Sequence, residues 1–237
     1  MLFRSVKTLK KRLAILAAPP FKGPEEVSDF RTVWGNDVEI ILSSIIPERT
    51  EKAIKPFLPG SGDRVLMFVL EDGTHTTISI DKLVPAIEKR LQEMQDKVDL
   101  VFLACGGDFP KLNSPIPFIQ PNIILRNMIS GMLFPHARVG VITPDQQQVW
   151  HVRNSWLNYI AARGMSEDQL HVDWAPPSRE IDIKECAKRL EEKKVDFVVV
   201  ECLGYKDQHK KILKQELNDK PVILIRTVMA NLIKELL

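Results

Sequence analysis

Apolar and polar positions form alternating blocks along the chain, some with the continuous apolar character of buried strands and others with helical spacing. The predicted strands cover residues 13–18, 38–46, 65–70, 75–80, 98–104, 138–143, 170–174, 195–200 and 222–225. Helices are predicted between them, as where Leu83, Ile87 and Leu91 share one face of a 3.6-residue repeat. Strands that alternate with helices favour an α/β fold, with mostly parallel sheets covered on both faces.

Turn signals divide this pattern further. The dipeptide Asp72-Gly73 is the strongest of them, because it favours the tight turn of a β-hairpin. It separates the predicted strands 65–70 and 75–80, and we expect this hairpin to make the first sheet mixed. The proline-rich segment 110–121 indicates a connection between two halves of the chain.

Cys105 and Cys202 occupy matching places in the two halves, each after a predicted buried strand and each followed by glycine within two residues. Ligands of open α/β sheets bind beyond the carboxyl ends of the strands, and glycine lets the backbone approach a ligand closely. A thiol beside a following helix N-terminus would have a lowered pKa and would serve as a base or a nucleophile. The alternative is a small buried core residue, which we expect for Cys186 on the apolar face of a helix.

Other residues near these strand ends are candidates for ligand binding. Gly106, Gly107 and Gly204 would present backbone N–H groups to a carboxylate or an oxyanion. Thr143 ends a strand in the second half, where its hydroxyl either lines the cleft or caps the next helix. Asp108 either caps the segment that follows it or acts beside the first cysteine.

Composition and charge narrow the function classes. The formal net charge of +2 gives no nucleic-acid footprint, and no segment reaches the roughly 18 apolar residues of a membrane helix. Three widely spaced cysteines suggest neither a disulfide framework nor a metal site, and free thiols indicate the cytoplasm. Without a P-loop or a GxGxxG motif, we expect no cofactor. The basic residues at the start, Arg4, Lys7, Lys10, Lys11 and Arg12, are interpreted as a solvated lead-in to the first strand.

Five segments carry a family resemblance through their order and spacing. They are 66–79 around the Asp-Gly turn, 103–110 (Leu-Ala-Cys-Gly-Gly-Asp-Phe-Pro), 139–146 (Val-Gly-Val-Ile-Thr-Pro-Asp-Gln), 201–205 (Glu-Cys-Leu-Gly-Tyr) and the ending 221–237. Together they resemble the AroM family, a branch of the aspartate/glutamate racemase superfamily. The resemblance implies two pseudo-symmetric α/β lobes, residues 1–118 plus 219–237 and residues 119–218, with the site between them. The last strand and helix would return to the first lobe.

The resemblance also implies a site chemistry. In the racemase relatives, two cysteines on opposite sides of the substrate α-carbon exchange its proton without a cofactor, and Cys105 and Cys202 match these two positions. The substrate, a small carboxylate, would be bound by the three glycines together with Thr143 and Tyr205. Relatives of this fold are often dimers, which makes a homodimer one candidate state.

The chain departs from these relatives where binding side chains are usual. Gly106-Gly107 stand where racemases usually carry Asn-Thr, and Leu203-Gly204 stand where Thr and often His precede the residue that matches Tyr205. Phe68-Val69-Leu70 replaces a Thr-Arg-Leu sequence and so lacks a guanidinium that would bind an anion.

Three hypotheses follow. The leading one is a cofactor-independent racemase or isomerase that acts on a small carboxylate by two-cysteine acid–base chemistry. The second is an isomerase or decarboxylase that needs only one of the cysteines. The third is a non-catalytic binding or regulatory protein that keeps the cleft but not the turnover.

Overall fold

The structure, a computed structural model, describes residues 10–36 and 38–237; of the basic lead-in, Arg4 and Lys7 lie outside the described residues. Its strands are β1 (Lys11–Ala17), β2 (Val38–Ser44), β3 (Val65–Val69), β4 (His75–Ser79), β5 (Leu100–Leu103), β6 (Phe118–Ile119), β7 (Val139–Thr143), β8 (Leu170–Trp174), β9 (Phe197–Val200) and β10 (Val222–Leu224). Its α-helices are α1 (Ser28–Trp34), α2 (Glu51–Ile54), α3 (Ile80–Met94), α4 (Pro121–Ser130), α5 (Val149–Ala161), α6 (Glu180–Glu192), α7 (Asp207–Glu216) and α8 (Ile225–Leu236).

Two four-stranded parallel sheets form the two lobes, with the strand orders β2-β1-β5-β6 and β10-β9-β7-β8. In each sheet the first strand lies between the second and the third, and the fourth lies beyond the third. This shared order is the pseudo-symmetry of the fold, and it makes β5 and β9 equivalent strands.

The hairpin does not make the first sheet mixed, as the sequence had led us to expect. β3 and β4 form a separate two-stranded antiparallel ribbon. The ribbon packs its buried side chains, among them Leu66, Phe68 and Ile78, onto the core of the first lobe. Side-chain burial therefore attaches the hairpin to its lobe, and backbone pairing with a sheet edge is not needed.

The terminal strand does not return to the first lobe. β10 pairs with β9 along Val222–Leu224, so the predicted placement of this strand is wrong. Parallel pairing with β9 satisfies backbone groups that would otherwise be left open at that edge of the second sheet. The following helix α8 does pack against α1 of the first lobe. At the other predicted boundary, β6 pairs with β5 and so belongs to the first sheet.

One apolar core lies between the two sheets. Leu13 and Phe102 of the first sheet belong to the same buried cluster as Val139 and Val199 of the second. Alternate residues of the same strands face the opposite way, so that Ala14 lies in a separate cluster within its own lobe. The shared core holds the two lobes face to face, which brings their strand ends together. No helix in residues 10–36 and 38–237 has the length and apolar character to cross a membrane.

Candidate active site

The two cysteines lie at equivalent points of the two lobes. Each stands two residues beyond the end of the third strand of its sheet, Cys105 after β5 and Cys202 after β9. Each sulfur accepts a hydrogen bond from the backbone N–H two residues later. The distance is 3.4 Å from Gly107 N to Cys105 Sγ and 3.3 Å from Gly204 N to Cys202 Sγ. The repeated sequence pattern therefore folds into a repeated local turn.

Both cysteines line one cavity of about 260 Å³ between the lobes. The predicted glycines Gly106, Gly107 and Gly204 line it as well. Prolines that follow strands also line the cavity. Apolar side chains of β3, in the hairpin, close one side of it. The structure thus brings together all the predicted residues that lie in the two cysteine turns, apart from Tyr205.

The two cysteine turns touch each other directly at Gly106. A Cβ atom on this residue would lie 2.2 Å from the carbonyl oxygen of Glu201, closer than real Cβ atoms approach any atom. A glycine here lets the turn of the first lobe pack against the residue that precedes Cys202. The two thiols can therefore line one cavity only because residue 106 has no side chain.

The thiols are protonated at neutral pH, contrary to the lowered pKa expected from the sequence. Burial raises the pKa of Cys105 to about 12, with a further contribution from Cys202 nearby. Burial likewise raises the pKa of Cys202 to about 11, although backbone N–H groups and the charge of Arg226 act in the opposite direction. No helix begins directly after either cysteine, since α4 and α7 start several residues later. Desolvation of the thiolate therefore outweighs the hydrogen bonds to it.

A buried ionic network supports the cysteine turns from behind. Arg126 on α4 donates to both carboxylate oxygens of Glu201 at 2.8 Å and to Asp108 Oδ1 at 2.5 Å. Ser155 on α5 donates to the other oxygen of Asp108 at 2.5 Å. Glu201 and Asp108 flank the two cysteines in sequence, so Arg126 ties both turns to one cation.

The sequence analysis missed Arg126 and Glu201. Arg126 interrupts the apolar side of a predicted helix, and Glu201 ends a strand that is otherwise apolar. The signal in the sequence was one charged residue within each of two apolar segments. The two charges are opposite, and charges that become buried are normally paired.

The sequence identifies the family to which the chain belongs. The sequence matches the family model described as AroM protein over residues 24–237, which is most of the chain. The chain belongs to the AroM family. No curated protein matches the sequence.

Solved racemase structures share the fold of this AroM-family chain. Glutamate racemase isoform RacE1 from Bacillus anthracis matches with a TM-score of 0.62 at 12% identity, covering 96% of this chain and 82% of that chain. Allantoin racemase AllR from Pseudomonas fluorescens matches with a TM-score of 0.57 at 14% identity, covering 95% and 90%. Glutamate racemase from Francisella tularensis matches with a TM-score of 0.55 at 13% identity, covering 96% and 81%. At these identities the likeness shows the two-lobed α/β fold.

Two predicted binding residues of the AroM chain turn away from the cavity. Tyr205 is fully buried, and its hydroxyl donates to the carbonyl of Ala175 at 2.6 Å. Thr143 is also buried, and its hydroxyl donates to Gln148 Oε1 at 2.7 Å. Neither lines the cavity, and the helix cap proposed for Thr143 is supplied by Asp145. Burial explains both corrections, because a buried hydroxyl needs a protein partner.

Gln148 lines the cavity in their place. Its Oε1 is held by Thr143, while its buried Nε2 has no hydrogen-bond partner among residues 10–36 and 38–237. Thr143 thus fixes the Gln148 side chain beside the cavity.

Arg49 brings a cation to the cavity that the sequence analysis did not identify. It follows β2, and its guanidinium donates to the carbonyl of Pro20 at 3.0 and 2.8 Å and to that of Val69 at 3.2 Å. Arg49 also lines an adjoining cavity of about 340 Å³, together with Lys206 and Arg226. It therefore stands where the two cavities meet.

Metal-ligating side chains do not gather in the described part of the chain: no group of three or more His, Cys, Asp or Glu residues there is placed to hold an ion. The cavity is lined by two thiols, hydrogen-bond donors, the carboxylate of Glu201 and apolar side chains.

Proposed function

We propose that this AroM-family chain is a cofactor-independent racemase or isomerase that acts on a small carboxylate. The observation that carries the proposal is that Cys105 and Cys202, at equivalent ends of β5 and β9, line one cavity. Two thiols on one cavity supply a base and an acid to the same substrate carbon. The racemase folds to which the chain is similar support the same chemistry.

The proposed step moves one proton at each face of a carbon next to a carboxylate. The thiolate of one cysteine takes the α-proton, and the C–H electron pair passes into an enolate-like intermediate. The thiol of the other cysteine then donates its proton to the opposite face and becomes the thiolate. Backbone N–H groups of the glycine turns stabilise charge on the intermediate. General acid–base groups of this kind contribute about 10²–10⁴-fold each.

The raised thiol pKa values give this chemistry a defined pH dependence. Since the base is a thiolate and burial favours the neutral thiol, the reactive form becomes more abundant as pH rises toward about 11, the pKa of Cys202. Below that pKa the rate of proton abstraction should rise about tenfold per pH unit.

The test is solvent deuterium exchange with a panel of small carboxylates that carry an α-proton, including amino, hydroxy and aryl-substituted acids. We expect deuterium at the α-carbon of at least one panel member, at a rate that increases between pH 7 and pH 10. Cys105→Ala and Cys202→Ala should each abolish interconversion of the enantiomers and leave α-deuterium only in the enantiomer whose proton faces the remaining thiol. Cys186→Ala is the matched control, because Cys186 lies in a separate core cluster and should leave exchange intact. The proposal fails if no panel member exchanges, or if all three variants exchange alike.

A second candidate uses one thiol only, and the asymmetry of the two cysteines favours it. Cys202 is partly exposed to the cavity and lies in the field of Arg226, whereas Cys105 is buried and has the higher pKa. An isomerase or decarboxylase of this kind would depend on Cys202. Cys202→Ala would then abolish turnover while Cys105→Ala would keep most of it, a result that two-cysteine chemistry does not allow.

A further inference from the structure

Hydrogen-bond donors and hydrocarbon both line the cavity of the two cysteines. Arg49 and Gln148 supply the donors. Met67 and Val69 on β3, with Pro19 and other residues that follow strands, supply the hydrocarbon. This division bears on which carboxylates fit.

The hydrogen-bond donors that line the cavity, Arg49 and Gln148, favour an anion. Arg49 is fixed by the carbonyls of Pro20 and Val69, which use three of the five N–H groups of its guanidinium. The nearest carboxylate oxygen in the described structure, on Glu26, is 3.9 Å away, beyond hydrogen-bond distance. Glu26 therefore forms an ion pair with Arg49 but no hydrogen bond, and two N–H groups of the guanidinium have no hydrogen-bond partner among residues 10–36 and 38–237. Gln148, 5% exposed, adds a buried donor without a partner in the described residues.

The acidic side chain that borders the cavity is already engaged. Both carboxylate oxygens of Glu201 are bound by Arg126 at 2.8 Å. An ammonium group in the cavity would have to compete with this bidentate pair, whereas a carboxylate would compete at Arg49 only with the longer contact to Glu26, at 3.9 Å. The charges therefore favour an acid over an amino acid.

The apolar wall favours a hydrocarbon substituent on that acid. Met67 and Val69 of β3 line this side of the cavity, so a ligand gains there by burying apolar surface. A volume of about 260 Å³ is below the usual range for drug-sized ligands and suits a small molecule.

We infer that the cavity binds a small carboxylate with an apolar α-substituent, its carboxylate held by Arg49 and Gln148 and its substituent against β3. The inference rests on the proposed function for the location of the site. It assigns Arg49 the anion-binding role that the hairpin sequence lacks, and it makes Thr143 a positioning residue through its bond to Gln148.

The experiment measures binding of three probes by calorimetry, using the Cys105→Ala/Cys202→Ala double variant so that no turnover interferes. 2-Phenylpropionate has the inferred chemistry, L-glutamate adds an ammonium and a second carboxylate, and 2-phenylpropan-1-ol lacks the carboxylate. We expect 2-phenylpropionate to bind at least about tenfold more tightly than either of the others, as one charge-assisted interaction would give.

Variants of Arg49 and Gln148 test whether these residues bind the carboxylate. Arg49→Gln should weaken 2-phenylpropionate about tenfold or more and leave 2-phenylpropan-1-ol unchanged, and Gln148→Leu should act in the same direction with a smaller factor. Arg90→Gln is the control, because Arg90 lies on α3 in an exposed pair with Glu93. If Arg49→Gln does not fold, Arg49→Lys, which keeps the charge but loses the planar fork, should weaken the acid selectively.

Tighter binding of L-glutamate, no binding of 2-phenylpropionate, or equal loss of the acid and the alcohol in the Arg49 variants would overturn the inference. Failure of the proposed function has a different signature. In that case the acid binds as inferred, yet the chain with both cysteines exchanges no α-proton.

Discussion

At the scale of single residues, three glycines and two cysteines decide the geometry of the site. Gly106 lets the first cysteine turn meet the carbonyl of Glu201, and the N–H groups of Gly107 and Gly204 bind the sulfurs.

This close approach predicts a large effect of Gly106→Ala. The added methyl group would overlap the Glu201 carbonyl, a backbone atom that cannot rotate away, so the lobes must shift. We expect a loss of about 1–3 kcal/mol in the free energy of unfolding, measured by urea denaturation.

Gly60→Ala is the matched control for that measurement. There the nearest atom to the added Cβ is a side-chain oxygen of Asp63 at 3.7 Å, an ordinary contact. Its effect should lie within about 1 kcal/mol of zero. Equal stability of the two variants would show that the cysteine turns are not in contact.

At the scale of secondary-structure elements, the Arg126 network joins α4 and α5 to both cysteine turns. Arg126 and Glu201 are almost fully buried, with side-chain exposures of 4% and 2%. Buried charges are held by each other and by hydrogen bonds, so removal of one leaves the other uncompensated.

Arg126→Met should therefore destabilise the fold by about 3–5 kcal/mol in urea unfolding. Adding Glu201→Gln to this variant should recover part of the loss, because it removes the unpaired negative charge. Arg90→Met breaks the exposed Arg90–Glu93 pair on α3 and should cost less than about 1 kcal/mol. Similar losses for Arg126→Met and Arg90→Met would contradict the burial of the network.

At the scale of the whole molecule, the two lobes share one core and one cavity. Apolar residues of both sheets belong to a single buried cluster, and α8 of the last segment packs against α1. Neither lobe buries its inner face without the other. We therefore expect the chain to unfold as one cooperative unit.

Two buried tryptophans test this cooperativity. Trp34 lies on α1 in the first lobe and Trp156 on α5 in the second, both in the shared core. In variants that keep only Trp34 or only Trp156 of the chain's four tryptophans, the fluorescence transition in urea should coincide with the loss of helical circular dichroism. If the Trp34 and Trp156 signals each depart from the circular dichroism in opposite directions, the lobes unfold separately.

The sequence by itself determined most of the local structure and the place of the cysteines. Apolar runs and helical spacing located the strands and helices, and Asp72-Gly73 located the hairpin. These features depend on residues that are neighbours in the chain. The repeated strand–cysteine–glycine pattern also placed Cys105 and Cys202 at equivalent strand ends, because parallel sheets put such ends on one side.

Only the tertiary structure decided which groups are buried and which distant residues meet. It paired β10 with β9, held the hairpin as a separate ribbon and raised the thiol pKa values. It also turned Tyr205 and Thr143 inward and brought Arg49 and Gln148 to the cavity. Desolvation and long-range contacts decide these outcomes. Both depend on segments that are distant in the sequence and come together only when the chain packs.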